Sequence, residues 1–427
     1  MGIDSIAASM SEIASIFRCR FSVSNRRPSI MRAPLVLSFL GGLALWAGEP
    51  GRVQYELITR PDFDRYTNSP NRSQQQWFQQ HFARMVGYTS YFDSRTSWFP
   101  RALVYFDLYG VHTDSPVAQQ HPDWLLRDAS GKTLYVPWGC ANGTCPQFAA
   151  DVNNPRYRAW WIQQAKSLMR RGYLGLYIDD VNMEFRVSDG SGKQIPPIDS
   201  RTGGPMSWDA WRKYVADFVQ QIHEALPGVE ITHNSIWFAG PPGVRDRDPA
   251  IERQIKSADH LVVERGIGSD PGLTGGNGEW SLQALFGYID RVHALGRGVT
   301  MEEYRVDDSR REYALAGYFL ISSGDDLYSD SNGTPDNWWT GYDVDLGAPV
   351  GPRTYHDGVF QRKFSCGMVL LGEPGLHPKT VSLEAPFSTL DARSVRSVEL
   401  SSRVGAVLRS CGSEPPSKAG ATRGTGR

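Results

Sequence analysis

The chain has 427 residues, a formal net charge of −1, and 13 Trp and 18 Tyr. That length exceeds one ordinary domain, and the near-neutral charge excludes the electrostatic footprint of a nucleic-acid or anionic-membrane binder. Five cysteines without paired Cys-x-x-Cys units exclude a zinc ribbon, and nine scattered histidines without a His-x-His pair give no expected metal or other cofactor.

Residues 33–48 form an apolar run behind Arg26, Arg27 and Arg32. The run is too short for a stable membrane span and reads as a secretory leader within residues 1–50, with Met31 as an alternative start. The expected location is therefore secreted or cell envelope. From there strands are expected near residues 53, 85 and 102, with a helix over 74–84. Ala102-Leu-Val-Tyr-Phe-Asp-Leu-Tyr109 is β-rich and carries Tyr105 and Asp107 near its end. Residues 119–150 read as a long loop, where the short Cys140–Cys145 spacing predicts a disulfide in an oxidising compartment.

Asn154-Pro155 then opens a helix that stops at Gly172, and the apolar stretch Tyr173–Ile178 runs straight into Asp179 and Asp180. As a buried parallel strand it places Gly175, Tyr177 and Asp179 on one face and Leu174, Leu176, Ile178 and Asp180 on the other. Either acid would alternatively cap the next element. A helix from Ser207, a strand carrying His233 and Asn234, and a short helix over 250–257 follow. Next come the strand His260–Gly266 with Glu264, a helix over 281–295, a strand from Gly298 ending in Glu302 and Glu303, a helix over 309–321, and a last strand near 326.

Eight strands with helices between most of them predict an α/β fold, a (β/α)8 TIM barrel over residues 51–346, with an open doubly wound sheet as the alternative. Beyond it, strands without helices predict a small C-terminal all-β module over 347–411, and the Gly, Ser, Pro and Lys-rich residues 412–427 read as a disordered tail.

Asp179 and Glu264 on two strands of one rim are the arrangement that glycoside hydrolysis needs: one carboxylate attacks or activates water, the other protonates the leaving oxygen. Apolar neighbours of Glu264 favour it as the proton donor; alternatively it pairs with Arg265. Tyr105, Asp107, Asp180, His233, Asn234 and Glu303 are candidate contacts for sugar hydroxyls, with cap or framework roles as the alternative for each. Glu302 and Asp330 are further rim residues. Glu303 shares its strand face with Met301 and Arg305, and Glu302 faces the other way.

Several stretches carry a resemblance: His121-Pro-Asp-Trp-Leu-Leu-Arg-Asp128 with Gly131-Lys132, Asp151-Val-Asn-Asn-Pro155, Gly175-Leu-Tyr-Ile-Asp-Asp-Val181, Tyr342-Asp-Val-Asp-Leu-Gly347, and Arg362-Lys-Phe364 with Gly367. In this order the motifs resemble the hypothetical glycosyl hydrolase family fifteen, related to α-galactosidase-like and polygalactosaminidase-like barrels. The resemblance implies a TIM barrel with an Asp nucleophile after strand four, Asp179, and an acid/base after strand six, Glu264. It further implies a retaining reaction on an oligo- or polysaccharide, with a carboxyl separation of about 5–5.5 Å. Related barrels often carry Asp-Asn where this chain has Asp179-Asp180. A carbohydrate-binding barrel without turnover is the alternative function. Oligomeric state and sugar identity stay open.

Overall fold

The computed structural model describes residues 53, 56–58, 63–238, 247–304, 306–330 and 333–411. The expected leader, the tail from residue 412 and the strand-face position of Arg305 lie outside the described residues. The first strands are β1 (Glu56–Ile58), β2 (Arg84–Gly87) and β3 (Ala102–Asp107). A two-stranded antiparallel excursion follows, β4 (Gly110–His112) with β5 (Gln147–Ala149), and then β6 (Gly175–Asp179), β7 (Glu230–Asn234), β8 (His260–Glu264), β9 (Gly298–Glu302) and β10 (Leu327–Ser329).

Strands β1-β2-β3-β6-β7-β8-β9-β10 form one eight-stranded sheet, parallel at every pairing. The sheet curls until Cα atoms of β1 and β10 come within 8 Å, although no ladder joins those two strands among the described residues. Side-chain alternation sorts its two faces. Val104, Leu176, Ile178, Ile231, Leu261, Val263, Val299 and Met301 pack outward into the large core beneath the helices. Val86, Leu103, Tyr177 and Val262 form a separate inner cluster, with Tyr105 and Leu174 against it. A one-residue slip in any strand would exchange these sets, so burial on both faces fixes the register.

The connecting helices begin where short polar side chains satisfy otherwise unbonded N–H groups. Asn154 accepts from Arg156 N ahead of Pro155–Met169, Ser207 from Ala210 N ahead of Trp208–Ala225, and Ser281 from Ala284 N ahead of Leu282–Ala294. The expected helix over 74–84 is observed as Arg72–His81, opened two residues earlier by a reciprocal Asn71–Gln74 capping box. The second strand ends at Gly87, and Ser90 adopts φ 63° in the turn that follows.

The C-terminal part adds β11 (Thr354–His356), β12 (Val359–Phe364), β13 (Gly367–Gly372), β14 (Lys379–Ser388), β15 (Ser394–Leu400) and β16 (Gly405–Arg409). They form an antiparallel sheet in the order β11-β12-β13-β16-β14-β15. Its inner face, including Phe360, Phe364, Val369, Leu371 and Val407, shares the core of the parallel sheet. The contact with helix Asp308–Ile321 is pinned at backbone atoms: Val407 N–H donates to Glu312 at 2.8 Å, and Arg362 Nη1 donates to the carbonyls of Phe319 and Ser322. The predicted Cys140–Cys145 disulfide is present, and a second, Cys366–Cys411, joins the residue before β13 to the segment just after β16. Among the described residues, no helix is long and apolar enough to cross a membrane.

Candidate active site

Asp179 is the last residue of β6, and Glu264 the last of β8. Between them lies β7, whose last residue is Asn234. All three strands are parallel and end at the same rim, with Glu264 two residues beyond Val262, the register partner of Asn234. The Asn234 Nδ2 amide donates to Asp179 Oδ1 at 2.9 Å and reaches Glu264 Oε2 at 3.4 Å. One nitrogen thus touches both carboxylates, so their facing oxygens are at most about 6.3 Å apart, the sum of the two distances.

Asp179 is held on both oxygens. Oδ1 also accepts the Asp180 N–H at 2.8 Å, and Oδ2 accepts the Tyr105 hydroxyl at 2.5 Å. Burial raises its pKa above the usual carboxylate value, and the Glu264 charge adds to this; the bonds from Tyr105, Asp180 N and Asn234 oppose it. Glu264 is exposed at the rim and accepts the Tyr304 hydroxyl on Oε1 at 2.7 Å. Glu264 is therefore not enclosed by its apolar neighbours as expected; Asp179, half-buried, is the less exposed acid of the pair.

Asp107 stands opposite Asp179 in the β3–β6 register. Its Oδ1 accepts the N–H groups of Tyr109 and Gly110, and its Oδ2 the Gln147 amide. Burial, with the neighbouring Asp179 charge, pushes its pKa up to about 7. Asp180 departs from the expected alternation. Its backbone is left-handed at φ 56°, which returns its carboxylate to the side of Asp107 and Asp179. Oxygens of the three acids lie within 4.8 Å of one another, and Asn182 Nδ2 donates to Asp180 Oδ1 at 2.8 Å. Burial and then the charges of Asp107 and Asp179 raise the Asp180 pKa well above its usual value. Three oxygens so close are a donor set that a cation would tolerate; proton sharing relieves the same repulsion.

Two expected sugar contacts are framework groups instead. His233 faces outward and is fully buried, its Nδ1 3.2 Å from Gln254 Nε2, and burial lowers its pKa to about 3, so the ring is neutral. Glu303 is buried against the loop after β8, where it accepts bonds from Ile267, Gly268 and Ser269. Both belong to the outward set of their strands, which packs under helices and loops away from the rim. Asp330 is likewise buried and accepts the Tyr342 hydroxyl.

The inward acid of β9 is Glu302, in register with Glu264 and accepting the Tyr177 hydroxyl at 3.2 Å. Its signal was in the sequence: Val299 and Met301 are apolar and face out, which leaves Glu302 facing in. Tyr304 had no such signal, since its bond to Glu264 depends on how the chain turns after β9. Tyr105, in turn, lies against Tyr88 with ring centroids 4.9 Å apart.

Comparison with known proteins bears on this rim. The chain is similar to the glycoside hydrolase domain of PelA from Pseudomonas aeruginosa, at 17% identity over 65% of this chain and 94% of that one, with a TM-score of 0.39. It is similar to the α-galactosidase TtGalA from Thermus thermophilus at 16% identity, over 69% of this chain and 60% of that one, with a TM-score of 0.38. The maltogenic α-amylase AmyB from Thermotoga neapolitana matches at 11% identity over 84% and 98% of the two chains, with a TM-score of 0.45. At such identities and scores these likenesses carry no mechanism. No curated protein matches the chain. Residues 89–368, well over half of the chain and including Tyr105, Asp107, Asp179, Asp180, Asn234, Glu264, Glu302 and Tyr304, match the family described as hypothetical glycosyl hydrolase family 15. The chain belongs to that glycosyl hydrolase family.

Proposed function

We propose that the protein hydrolyses glycosidic bonds of an oligo- or polysaccharide with retention, Asp179 acting as nucleophile and Glu264 as acid/base, at the rim of a (β/α)8 barrel. The observation that carries this reading is the single Asn234 amide in contact with both carboxylates. That contact brings their facing oxygens within about 6.3 Å, which supports two acids working on one glycosidic bond; a carboxyl separation of about 5–5.5 Å serves retention and one of about 6.5–9.5 Å inversion.

The roles follow from the surroundings. Asp179 is held by three donors on a rigid strand, so its oxygens are fixed before the substrate arrives. Glu264 is open to the rim, where it can reach a leaving oxygen and later a water. In the first step an Asp179 oxygen bonds to the anomeric carbon while the glycosidic C–O bond breaks and the Glu264 proton passes to the departing oxygen. In the second, the Glu264 carboxylate takes a proton from water, whose oxygen displaces Asp179 from the same carbon. Two inversions give net retention.

The exposed Trp138, Trp208 and Trp280 all lie on segments that follow strand carboxyl ends, which supports a sugar-stacking role for this face. Two disulfides support an oxidising location outside the cytoplasm, secreted or in the envelope. The test is a screen of the purified protein against a broad glycan panel, with product anomers followed by NMR. Hydrolysis with retained configuration is expected. Glycan binding without any cleavage would favour a binding barrel, and an inverted first product would remove the nucleophile role of Asp179.

A further inference from the structure

The loop that follows Glu264 turns sharply, with Arg265 at φ 68° and Gly266 at φ 50°. Its N–H groups are then gathered by one side chain from the next strand connection. Glu303, only 1% exposed, accepts the Ile267 N–H at 2.7 Å and the Gly268 N–H at 2.9 Å on Oε1. Its Oε2 accepts the Ser269 N–H at 2.9 Å and lies 2.8 Å from Ser269 Oγ. The fit leaves no slack, since a Cβ on Gly266 would stand 2.2 Å from Glu303 Oε1. Ser269 Oγ also lies 2.7 Å from the Arg265 carbonyl and accepts the Tyr304 N–H at 2.8 Å. Tyr304 completes the circuit by donating its hydroxyl to Glu264 Oε1 at 2.7 Å.

These contacts form a closed ring that begins and ends at Glu264: through the backbone to Ser269, across its hydroxyl to Tyr304, and back through the phenol. We propose that Glu303 is a positioning residue for Glu264, acting through Ser269 and Tyr304 to fix the orientation of the proton-donating carboxyl, and is not a sugar ligand. The physical ground is the number of donors on one buried carboxylate. Such charge-assisted bonds are strong and short, and here each ends on the segment between the acid and its phenolic partner. With Tyr304 holding Oε1, Oε2 is the oxygen directed toward Asn234 and the gap in front of Asp179. This inference rests on the acid/base reading of Glu264.

Leaving-group dependence provides the test. Proton donation matters for a poor leaving group and hardly at all for 2,4-dinitrophenolate. Glu303→Gln places an amide against N–H donors, Ser269→Ala deletes the hydroxyl link alone, and Tyr304→Phe deletes the last bond. For each, kcat/KM is measured on the phenyl and 2,4-dinitrophenyl glycosides of the sugar that the wild type cleaves, with folding checked by circular dichroism. The expected result is a loss of about tenfold or more on the phenyl glycoside and at most about threefold on the dinitrophenyl glycoside, a part of what general acid catalysis contributes. If Glu303→Gln does not fold, Ser269→Ala and Tyr304→Phe carry the same expectation. Equal losses on both substrates, or none on either, overturn the positioning role while leaving the proposed function standing. Wild-type protein inactive on every glycan overturns both.

Discussion

Asn234→Ala isolates the contact that joins the two acids. In the native protein its amide donates to Asp179 Oδ1 at 2.9 Å and reaches Glu264 Oε2 at 3.4 Å, so the substitution removes a neutral donor from between two carboxylates. A hydrogen bond to a charged group contributes about 1.5–3 kcal/mol. At about 1.4 kcal/mol per tenfold in rate, kcat/KM should fall by roughly 10- to 150-fold. The loss has a second signature. Asn234 is one of the donors that hold the Asp179 pKa down against burial, so its removal raises that pKa further. The acidic limb of kcat/KM against pH, which reports the free enzyme's ionised nucleophile, should move upward. The assay is a pH profile of wild type and variant on an activated aryl glycoside. A rate within about twofold of wild type and an unmoved acidic limb would refute the claim that this amide organises the pair.

Two other outcomes follow from the same geometry. Asp107, pushed up to about 7, keeps its proton in the folded state while the unfolded chain ionises near 3.8. Its contribution to stability is therefore full below about pH 4 and disappears as pH rises through about 7, by up to about 4 kcal/mol. Asp107→Asn keeps an acceptor for the Tyr109 and Gly110 N–H groups and cannot ionise, so the difference in Tm between pH 5 and pH 8 should narrow; an unchanged difference refutes this. Of the five cysteines, four are paired, so thiol titration under denaturing, non-reducing conditions should find at most Cys19 reactive. Five reactive thiols would refute an oxidising location.

What was legible in the sequence is what depends on period. Side chains alternate along a strand, so the inward course of Tyr177 and Asp179 was readable without coordinates. Asp180 was misplaced because its left-handed φ reverses the side-chain direction at the one residue where the strand ends. Glu303 was preferred to Glu302 although the face argument pointed the other way: it shares the Met301 face, which is the outer one. The long segment after β3 read as a loop, its disulfide legible from the short cysteine spacing, but its β4–β5 ladder pairs strands of three residues that are too short to show a period. The Cys366–Cys411 bridge and the Tyr304–Glu264 bond join residues 45 and 40 positions apart, and separations of that kind are set by tertiary packing alone.

The most direct test of the central claim is covalent trapping on Asp179. Wild-type protein is treated with the 2-deoxy-2-fluoro, 2,4-dinitrophenyl glycoside of the sugar found by the panel screen, then digested and mapped by mass spectrometry. The fluorine slows both formation and breakdown of the glycosyl–enzyme ester, and the good leaving group restores the rate of formation alone, so the intermediate accumulates. One fluoroglycosyl adduct on the Asp179 carboxylate, absent in Asp179→Asn, is predicted. An adduct on Asp107 or Asp180, or an enzyme that releases the sugar with inverted configuration and is never labelled, would contradict the account.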